Sequence, residues 1–506
     1  MESYATALPP DVFADSRGRF ESLVAMLSGA EAAASTHGDL EERLHTDGMV
    51  LLRGLLQDHL SLRAVQEQRV DAITGSDGVV RTRAERGRTR ALATVFGEVE
   101  VERIVYRAPG APGLNPADMA LSLPREKHSH GLRRRAAVEA VRGSFDDARA
   151  AIARSCGSAP GKRQVEELVQ RAAMDVDDFY RHQRPEPAEA DTLLVLTFDA
   201  KGIVMLPAHL REATRRNAAR KDAAGGQRLA SRLSSGEKRG RKRMAEVAAL
   251  DDAHPVARTP LDIIPATALD REDKVKGPVA TGKWVTASVR DSCKDVVATV
   301  FDEAERRDPD HARTWVVLVD GAQHQLEVIR AEAEHRKVTV HIVCDIVHVI
   351  EYVWKAAWSF FPPGDLAAEA WVGEQTRRIL AGKPIKVAAA IRQKATMAGL
   401  APAKRAGADK CADYLHAKAP YLDYGKALTA GWPIATGIVE GACRYLVKDR
   451  MDITGARWSL TGAEAVLKLR AVHASGDFDA YWQYHLQREH LRVHTIRYRD
   501  QLALAA

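Results

Sequence analysis

The stretch LLVLTFDAKGIVM, Leu193–Met205, decides how this chain is read. A run of strand-forming residues, Leu193–Phe198, meets Asp199, passes through AKG and becomes apolar again. A solvated turn explains the aspartate cheaply. A carboxylate placed at the mouth of a sheet to hold a metal explains it equally well. The rest of the chain has to decide. WVVLVDGAQHQ (315–325) repeats the pattern, with a strand-like run ending on Asp320. A third acid, Glu440, lies in PIATGIVEGACRYLVKDRM (433–451). There Thr436–Gly437 reads as a helix start, and Ile438, Val439, Ala442, Tyr445 and Leu446 as the buried side. The acids are 121 and 120 residues apart, so only a fold could join them. Taken singly, each aspartate is more often a turn residue; the set carries the argument.

If the three converge, their hard oxygen donors select Mg²⁺ or Mn²⁺. Two such ions about 3.5–4 Å apart suit in-line phosphoryl transfer, one side activating a water or 3′-hydroxyl and the other stabilising the leaving oxygen. A further cluster is VHIVCDIVHVIEYVWKAAW (340–358). A strand ends at Cys344, and Asp345, His348 and Tyr352 fall on one face of a new helix. The plainer reading makes Asp345 an N-cap and His348 a half-buried, hydrogen-bonded side chain. The sharper one turns both toward the metal site. Asp-x-x-His could also ligate a transition metal, but no further ligands are evident.

Composition sets the frame. A chain of 506 residues is too long for one simple domain and suggests about three units. With 45% hydrophobic and 28% charged residues it is of soluble, globular type. No apolar run approaches the ~20 residues of a membrane helix, and the first residues carry no secretory pattern. Five cysteines (156, 293, 344, 411, 443) lie far apart without a C-x-x-C, which argues against a zinc ribbon or disulfide framework. A reducing cytoplasm is the expected compartment, with nucleoid association when bound to DNA.

Residues 14–73 show helical periodicity, and 90–110 alternate as a β-hairpin, read as ATVF–GE–VEVERIVYR. FDDARAAIARSCGSAPGKRQVEELVQRAAMDVDDFY outlines a helix-turn-helix, with Lys162 and Arg163 as candidate DNA contacts; an ordinary helical hairpin has the same outline. After a linker at 183–191 come strand-like runs Leu193–Phe198, Met244–Leu250, Trp284–Val289, Val297–Phe301, Trp315–Val319 and Val338–Cys344, the pattern of an α/β sheet domain. Residues 211–243 hold 12 Lys/Arg against 3 Asp/Glu, a net +9 where the whole chain is +6. Such a run is usually a solvated segment. Beside an acidic site it also suits a phosphate backbone, with Arg215, Arg216, Lys238, Arg239, Arg241, Lys242 and Arg243 as candidate contacts.

Together these motifs resemble the ISKra-type DDE transposases of bacterial insertion sequences, related to the Mutator-like group. TFDAKGIVM resembles the first-Asp motif and VVLVDGAQHQ the second. CDIVHVIEYVWKAAW is similar to the Asp-x-x-His signature, and ATGIVEGACRYLVKDRMDITGARWSLTGAEAVLKLRA to the Glu-bearing block. ATVFGEVEVERIVYR, SLPREKHSHGLRRRAA and GRKRMAEVAALDD resemble further family segments. The resemblance implies an RNase H-like core over 191–353 and 431–475, interrupted by the basic insert 207–243 and by a helical insertion over 354–430. Ahead of the core it implies a mainly helical DNA-binding region, 1–125 with the hairpin and 126–185 with the helix-turn-helix outline; 476–506 is left as a tail. It implies Asp199, Asp320 and Glu440 as catalytic metal ligands for two Mg²⁺ or Mn²⁺ ions, with Asp345 and His348 in support. Double-stranded DNA and a homo-oligomer working on it are the implied partners. A nuclease or resolvase without strand transfer uses the same carboxylates, and a non-catalytic DNA-binding protein would make them incidental.

Overall fold

The computed structural model describes residues 11–185, 188–223, 241–453 and 455–499. The chain divides into two units, one of Met1–Phe179 with Phe478–Ala506 and one of Tyr180–Asp477.

The first unit opens with helices α1 (Ala14–Ser28) and α2 (His37–Gln66), the latter started by Thr36, whose side chain accepts from the Asp39 amide. Strands β1 (Arg83–Thr94) and β2 (Gly97–Ala108) form an antiparallel ribbon, and β3 (Ala111–Leu114) pairs with β2. Leu60 of α2 packs with Leu92, Val99, Val101 and Leu123. The hairpin turns at Val95–Phe96, not at Gly97–Glu98. Thr94 fixes it: its hydroxyl donates to the Gly97 carbonyl at 2.7 Å and accepts from the Phe96 amide at 3.2 Å. Gly97 takes φ +126°, which a side chain would resist.

Helices α3 (His130–Arg142), α4 (Phe145–Ser155) and α5 (Lys162–Ala172) pack on one another. A Ser144/Asp147 capping box starts α4. Residues 476–506, read from the sequence as a tail, contain a helix over Phe478–Val493 that belongs to this unit. Arg133 of α3, fully buried, donates to Glu489 at 2.7 Å, and His485 pairs with Asp175 at 2.7 Å. These contacts join residues more than 300 positions apart, so nothing local announces them.

The second unit is α/β. Its five strands are β4 (Leu193–Val204), β5 (Lys242–Ala253), β6 (Ala280–Ser288), β7 (Thr314–Val319) and β8 (Val340–Cys344), in the order β8-β7-β4-β5-β6. β4, β7 and β8 are parallel, while β5 runs against both β4 and β6. The sheet is therefore mixed, and its central strand buries Leu193–Phe198 throughout, as a strand covered on both faces must.

Two sequence expectations change here. Val297–Phe301 is not a strand but lies inside helix α6 (Cys293–Arg307). A Ser292/Asp295 capping box starts that helix, and Val296, Val297, Val300, Phe301 and Ala304 recur on its buried side at helical steps. The stretch that opened the question is also different. AKG is not a turn: β4 continues to Val204, paired with β5 residue by residue through Val204↔Lys242. Its end is held by Trp458, which donates to the Val204 carbonyl at 3.1 Å and accepts from the Leu206 amide at 2.9 Å.

Helices α7 (Gln323–Arg336) and α8 (Ile346–Phe360) follow β7 and β8. Three more, α9 (Leu366–Leu380), α10 (Pro384–Met397) and α11 (Pro402–Ala417), lie before the short helix α12 (Gly437–Ala442), and α13 (Leu460–Ala474) packs on β6. At the end of the sheet where β4 begins, acids meet cations. Asp252 binds Arg313 at 2.5 Å and Arg307 at 2.8 Å, and Arg313 also donates to the Leu193 carbonyl at 2.8 Å. Burial, and then the Asp252 charge, push the neighbouring Asp251 carboxyl up to about 7 against the pull of Arg307 and Lys283. Breaking a buried pair by removing one partner costs more than the pair is worth, so Arg313→Ala is expected to lower unfolding stability by about 3 kcal/mol. Urea denaturation with an unchanged m-value checks this.

Candidate active site

The pairing of β4 with β7 runs at a constant offset, from Leu193↔Thr314 to Thr197↔Leu318. That offset is 121 residues, the same as the separation of Asp199 and Asp320. The two aspartates therefore stand level on neighbouring parallel strands, which are ~4.8 Å apart in any sheet. β8 continues the row. Cys344 pairs with Val319, and the Asp345 amide donates to the Val319 carbonyl at 2.8 Å, which sets Asp345 beside Asp320. Three aspartates thus occupy one row at the carboxyl ends of β7 and β8. Asp199 and Asp320 are half-buried and Asp345 is buried. Ligands of open α/β sheets bind beyond such carboxyl ends.

Glu440 reaches this row from α12, which packs on β4 and β5. Thr436, just before that helix, does not cap it; its hydroxyl donates to Asp345 Oδ2 at 2.6 Å and lies 3.4 Å from Glu440 Oε1. Burial raises the Glu440 carboxyl above its ordinary value. The charge of Asp345, a hydrogen bond with it, and the charge of Asp199 push it further the same way. Straight after α12 the chain winds as a π-helix over Cys443–Lys448, a distortion frequent at functional sites. It brings the buried Cys443 thiol to the Asp199 carboxylate, and burial and that carboxylate raise the thiol.

The loop carrying Asp320 is tightly set. Asp320 Oδ1 accepts from the Ala322 amide at 2.8 Å, and Gly321 takes φ +92°. A side chain at Gly321 would meet the Cys344 sulfur and the Tyr414 hydroxyl. Tyr414 of α11 donates to the Asp320 carbonyl at 3.3 Å, and Lys418, four residues on, donates to Gln323 at 3.0 Å. Tyr414 also stacks on Tyr352 at 4.0 Å, and Tyr352 touches His348. His348 thus joins the site through an aromatic chain. Asp345 is the cap that the plainer reading expected: Oδ1 accepts from the Val347 amide at 2.9 Å, while Oδ2 accepts from the Thr436 hydroxyl.

The expected DNA contacts fare unevenly. Lys238 and Arg239 lie outside the described residues. Arg243 is engaged in the sheet, donating to the Val289 carbonyl at 2.7 Å, so it is not a spare cation. Arg241 and Lys242 are half-buried at the start of β5. Arg215 and Arg216 are exposed on the helix Glu212–Ala223, with Arg216 paired to Glu212. Lys162 pairs with Asp146 and Arg163 with Glu167.

Thr436, Cys443 and Tyr414 escaped the sequence reading. Thr436 had a signal, its place four residues before Glu440, but it read as a cap. Among the described residues, the only group of three metal-type ligand atoms mutually within 4.8 Å is Glu189, Asp191 and His254. All three are exposed and sit at the opposite end of β4 and β5 from the aspartate row. Asp199 and Asp320 share a row with Glu440 beside it, without closing to that distance. No model of a known protein family matches the chain, and no curated protein matches it either.

The raised Glu440 carboxyl has a sign that can be measured. A carboxyl that holds its proton more tightly folded than unfolded favours folding fully at acid pH, and that contribution is lost as pH rises through the raised value. In EDTA, Glu440→Gln is therefore expected to melt above wild type at neutral pH. The difference should stay under about 1 kcal/mol, because the group is partly solvated. The two melting curves should converge as pH falls through the ordinary carboxylate range.

Proposed function

We propose that the chain is a DNA transposase with an RNase H-like core, cutting at the ends of a mobile element and joining the freed 3′-hydroxyls to target DNA. One observation carries the reading: the strand offsets set Asp199, Asp320 and Asp345 in one row, with Glu440 beside it, at the carboxyl rim of a mixed five-stranded sheet. The sheet is compatible with such a core, and the helices α9–α11 fall within 354–430, where a helical insertion is expected.

The residues fit a pair of divalent ions. All the donors are carboxylate oxygens, the set that hard cations select. Glu440 and Asp345 lie close as two acids, and the Asp345 charge raises the Glu440 carboxyl, a repulsion that a bound cation would relieve. Asp199, Asp320 and Glu440 would hold the ions, with Asp345 and His348 behind them. Bound Mg²⁺ or Mn²⁺ supplies charge to the attacking and leaving oxygens of an in-line displacement. The chain's own share is positional. Thr436 orients Asp345, the Asp320 loop is held by Tyr414 and Lys418, and Cys443 steadies Asp199. Exposed Lys201, two residues beyond Asp199 on the same face of β4, offers the scissile phosphate a cation. Duplex DNA, as terminal inverted repeats and target, is the proposed partner of a homo-oligomer.

The test is Mg²⁺-dependent strand transfer with pre-cut ends. Loss of an outer-shell partner typically costs 10–100-fold, so Asp345→Asn is expected in about that range and Asp199→Asn, a direct ligand, beyond it. An Asp199→Asn protein that folds, binds DNA and still joins ends sinks the proposal. A wild-type chain that cuts but never joins supplied ends would be a nuclease or resolvase instead.

A further inference from the structure

We propose that the arginine-rich face of the β1–β2 ribbon in the first unit is a docking surface for the sugar-phosphate backbone of duplex DNA. This rests on the reading of the chain as a DNA-acting enzyme and deepens it, naming the residues and the phosphate chemistry by which the ribbon would meet the duplex.

The ribbon places like charges opposite one another. Arg83 pairs across the strands with Arg107, and Arg88 with Arg103. Directly opposed like charges disfavour a sheet, so the ribbon forms against this repulsion. Arg103 is drawn off to Asp118 at 2.6 Å. The other three guanidiniums converge on a single acid: Glu85 is met by Arg88 at 2.7 Å, Arg107 at 3.1 Å and Arg83 at 3.2 Å. One carboxylate neutralises one of three. Glu85 is 16% exposed, while Arg83, Arg88 and Arg107 are 78%, 57% and 46% exposed. The acid is tucked beneath and the cations face solvent.

Between Glu85 and Arg88 the register shifts in a β-bulge, with Gly87 at φ +68° and Arg86 exposed beside it. Bulges re-aim side chains. With Arg103 taken up by Asp118, the exposed cluster sets three guanidiniums against the single carboxylate of Glu85. The contrast with α5 is direct: there Lys162 and Arg163 each meet an acid of their own, Asp146 and Glu167.

A polyanion is the complementary partner, and strand geometry favours a regular one. The four residue steps from Arg103 to Arg107 span roughly 13 Å. Duplex phosphates recur every ~3.4 Å of axis on each strand, so the cluster covers about four of them. Guanidiniums already oriented by Glu85 lose less freedom on meeting phosphate oxygens, which they grip bidentately.

The experiment measures binding of the full chain to a fluorescein-labelled duplex of mixed sequence, by anisotropy, across a salt series without divalent ions. Each phosphate contact contributes about 0.9 to the slope of log K against log salt, so the combined Arg83→Ala, Arg88→Ala, Arg107→Ala variant should flatten it by up to about 2.7. The matching triple lysine variant should keep most of the slope. Glu85→Gln, which releases the three guanidiniums, should bind more tightly than wild type, an effect in the opposite direction from any loss of folding. A triple alanine variant with the wild-type slope, a Glu85→Gln protein that binds more weakly, or a wild-type chain that ignores duplex overturns the proposal. Failure of the transposase reading is seen separately, in strand transfer that survives Asp199→Asn.

Discussion

The second unit depends on one constraint, the register between β4 and β7. Both faces of β4 are covered over Leu193–Phe198, so a slip of one residue would turn that whole set of side chains to the wrong layer. The hydrophobic requirement therefore fixes the offset, and the offset fixes the chemistry. With Thr197 opposite Leu318, Asp199 and Asp320 come level; with Val319 opposite Cys344, Asp345 joins them. The row falls where β7 and β8 stop and β4 continues with β5 alone. Asp199 and Asp320 are half-buried there, shielded from full solvation yet open enough to meet a ligand.

The two ends of this sheet treat acids in opposite ways. At the end where β4 begins, Asp252 is compensated by Arg307 and Arg313, and the cluster ties strands to helix α6. At the carboxyl rim, acid faces acid: Asp345 and Glu440 both meet the Thr436 hydroxyl, and the charges of Asp345 and Asp199 add to the burial that raises Glu440. An arrangement that raises a carboxyl and leaves like charges together works against folding. Strain and repulsion of this kind concentrate where function requires them, and the surrounding fold must over-determine the geometry. Here that support comes from Thr436, from the π-turn carrying Cys443, and from α11, whose Tyr414 and Lys418 hold the Asp320 loop. The helices between Asp345 and Glu440 are thus part of the site's scaffold as well as a spacer.

Local signals made much of this visible in the sequence, though unevenly. The strand runs around Asp199, Asp320 and Cys344 showed because buried parallel strands read as continuous apolar stretches. Asp345 was legible as a cap, and it caps α8, while its other carboxylate oxygen accepts from Thr436. Val297–Phe301 misled because a β-branched run looks the same in a strand and on the buried side of a helix; the Ser292/Asp295 box was the missed signal. AKG misled for a related reason. Glycine and lysine suggest a turn, yet pairing with β5 keeps Gly202 and Lys201 in the strand, since Met244 and Ala245 supply ladder partners. The tail had no local signature at all, because its helix is fixed by Arg133, Asp175 and Ala172, residues over 300 positions away.

The sequence by itself determined which acids matter as candidates, the alternation of apolar runs that builds an α/β sheet, and the concentration of positive charge before β5. These follow from side-chain type and short-range periodicity. Only the tertiary structure decided that Asp199, Asp320 and Asp345 share one row, that Glu440 meets Asp345 across Thr436, and that three arginines crowd one glutamate on the β1–β2 ribbon. Each of these is a relation between segments joined by strand register or helix packing. Such relations are set by burial of the whole core, which no single stretch of chain encodes.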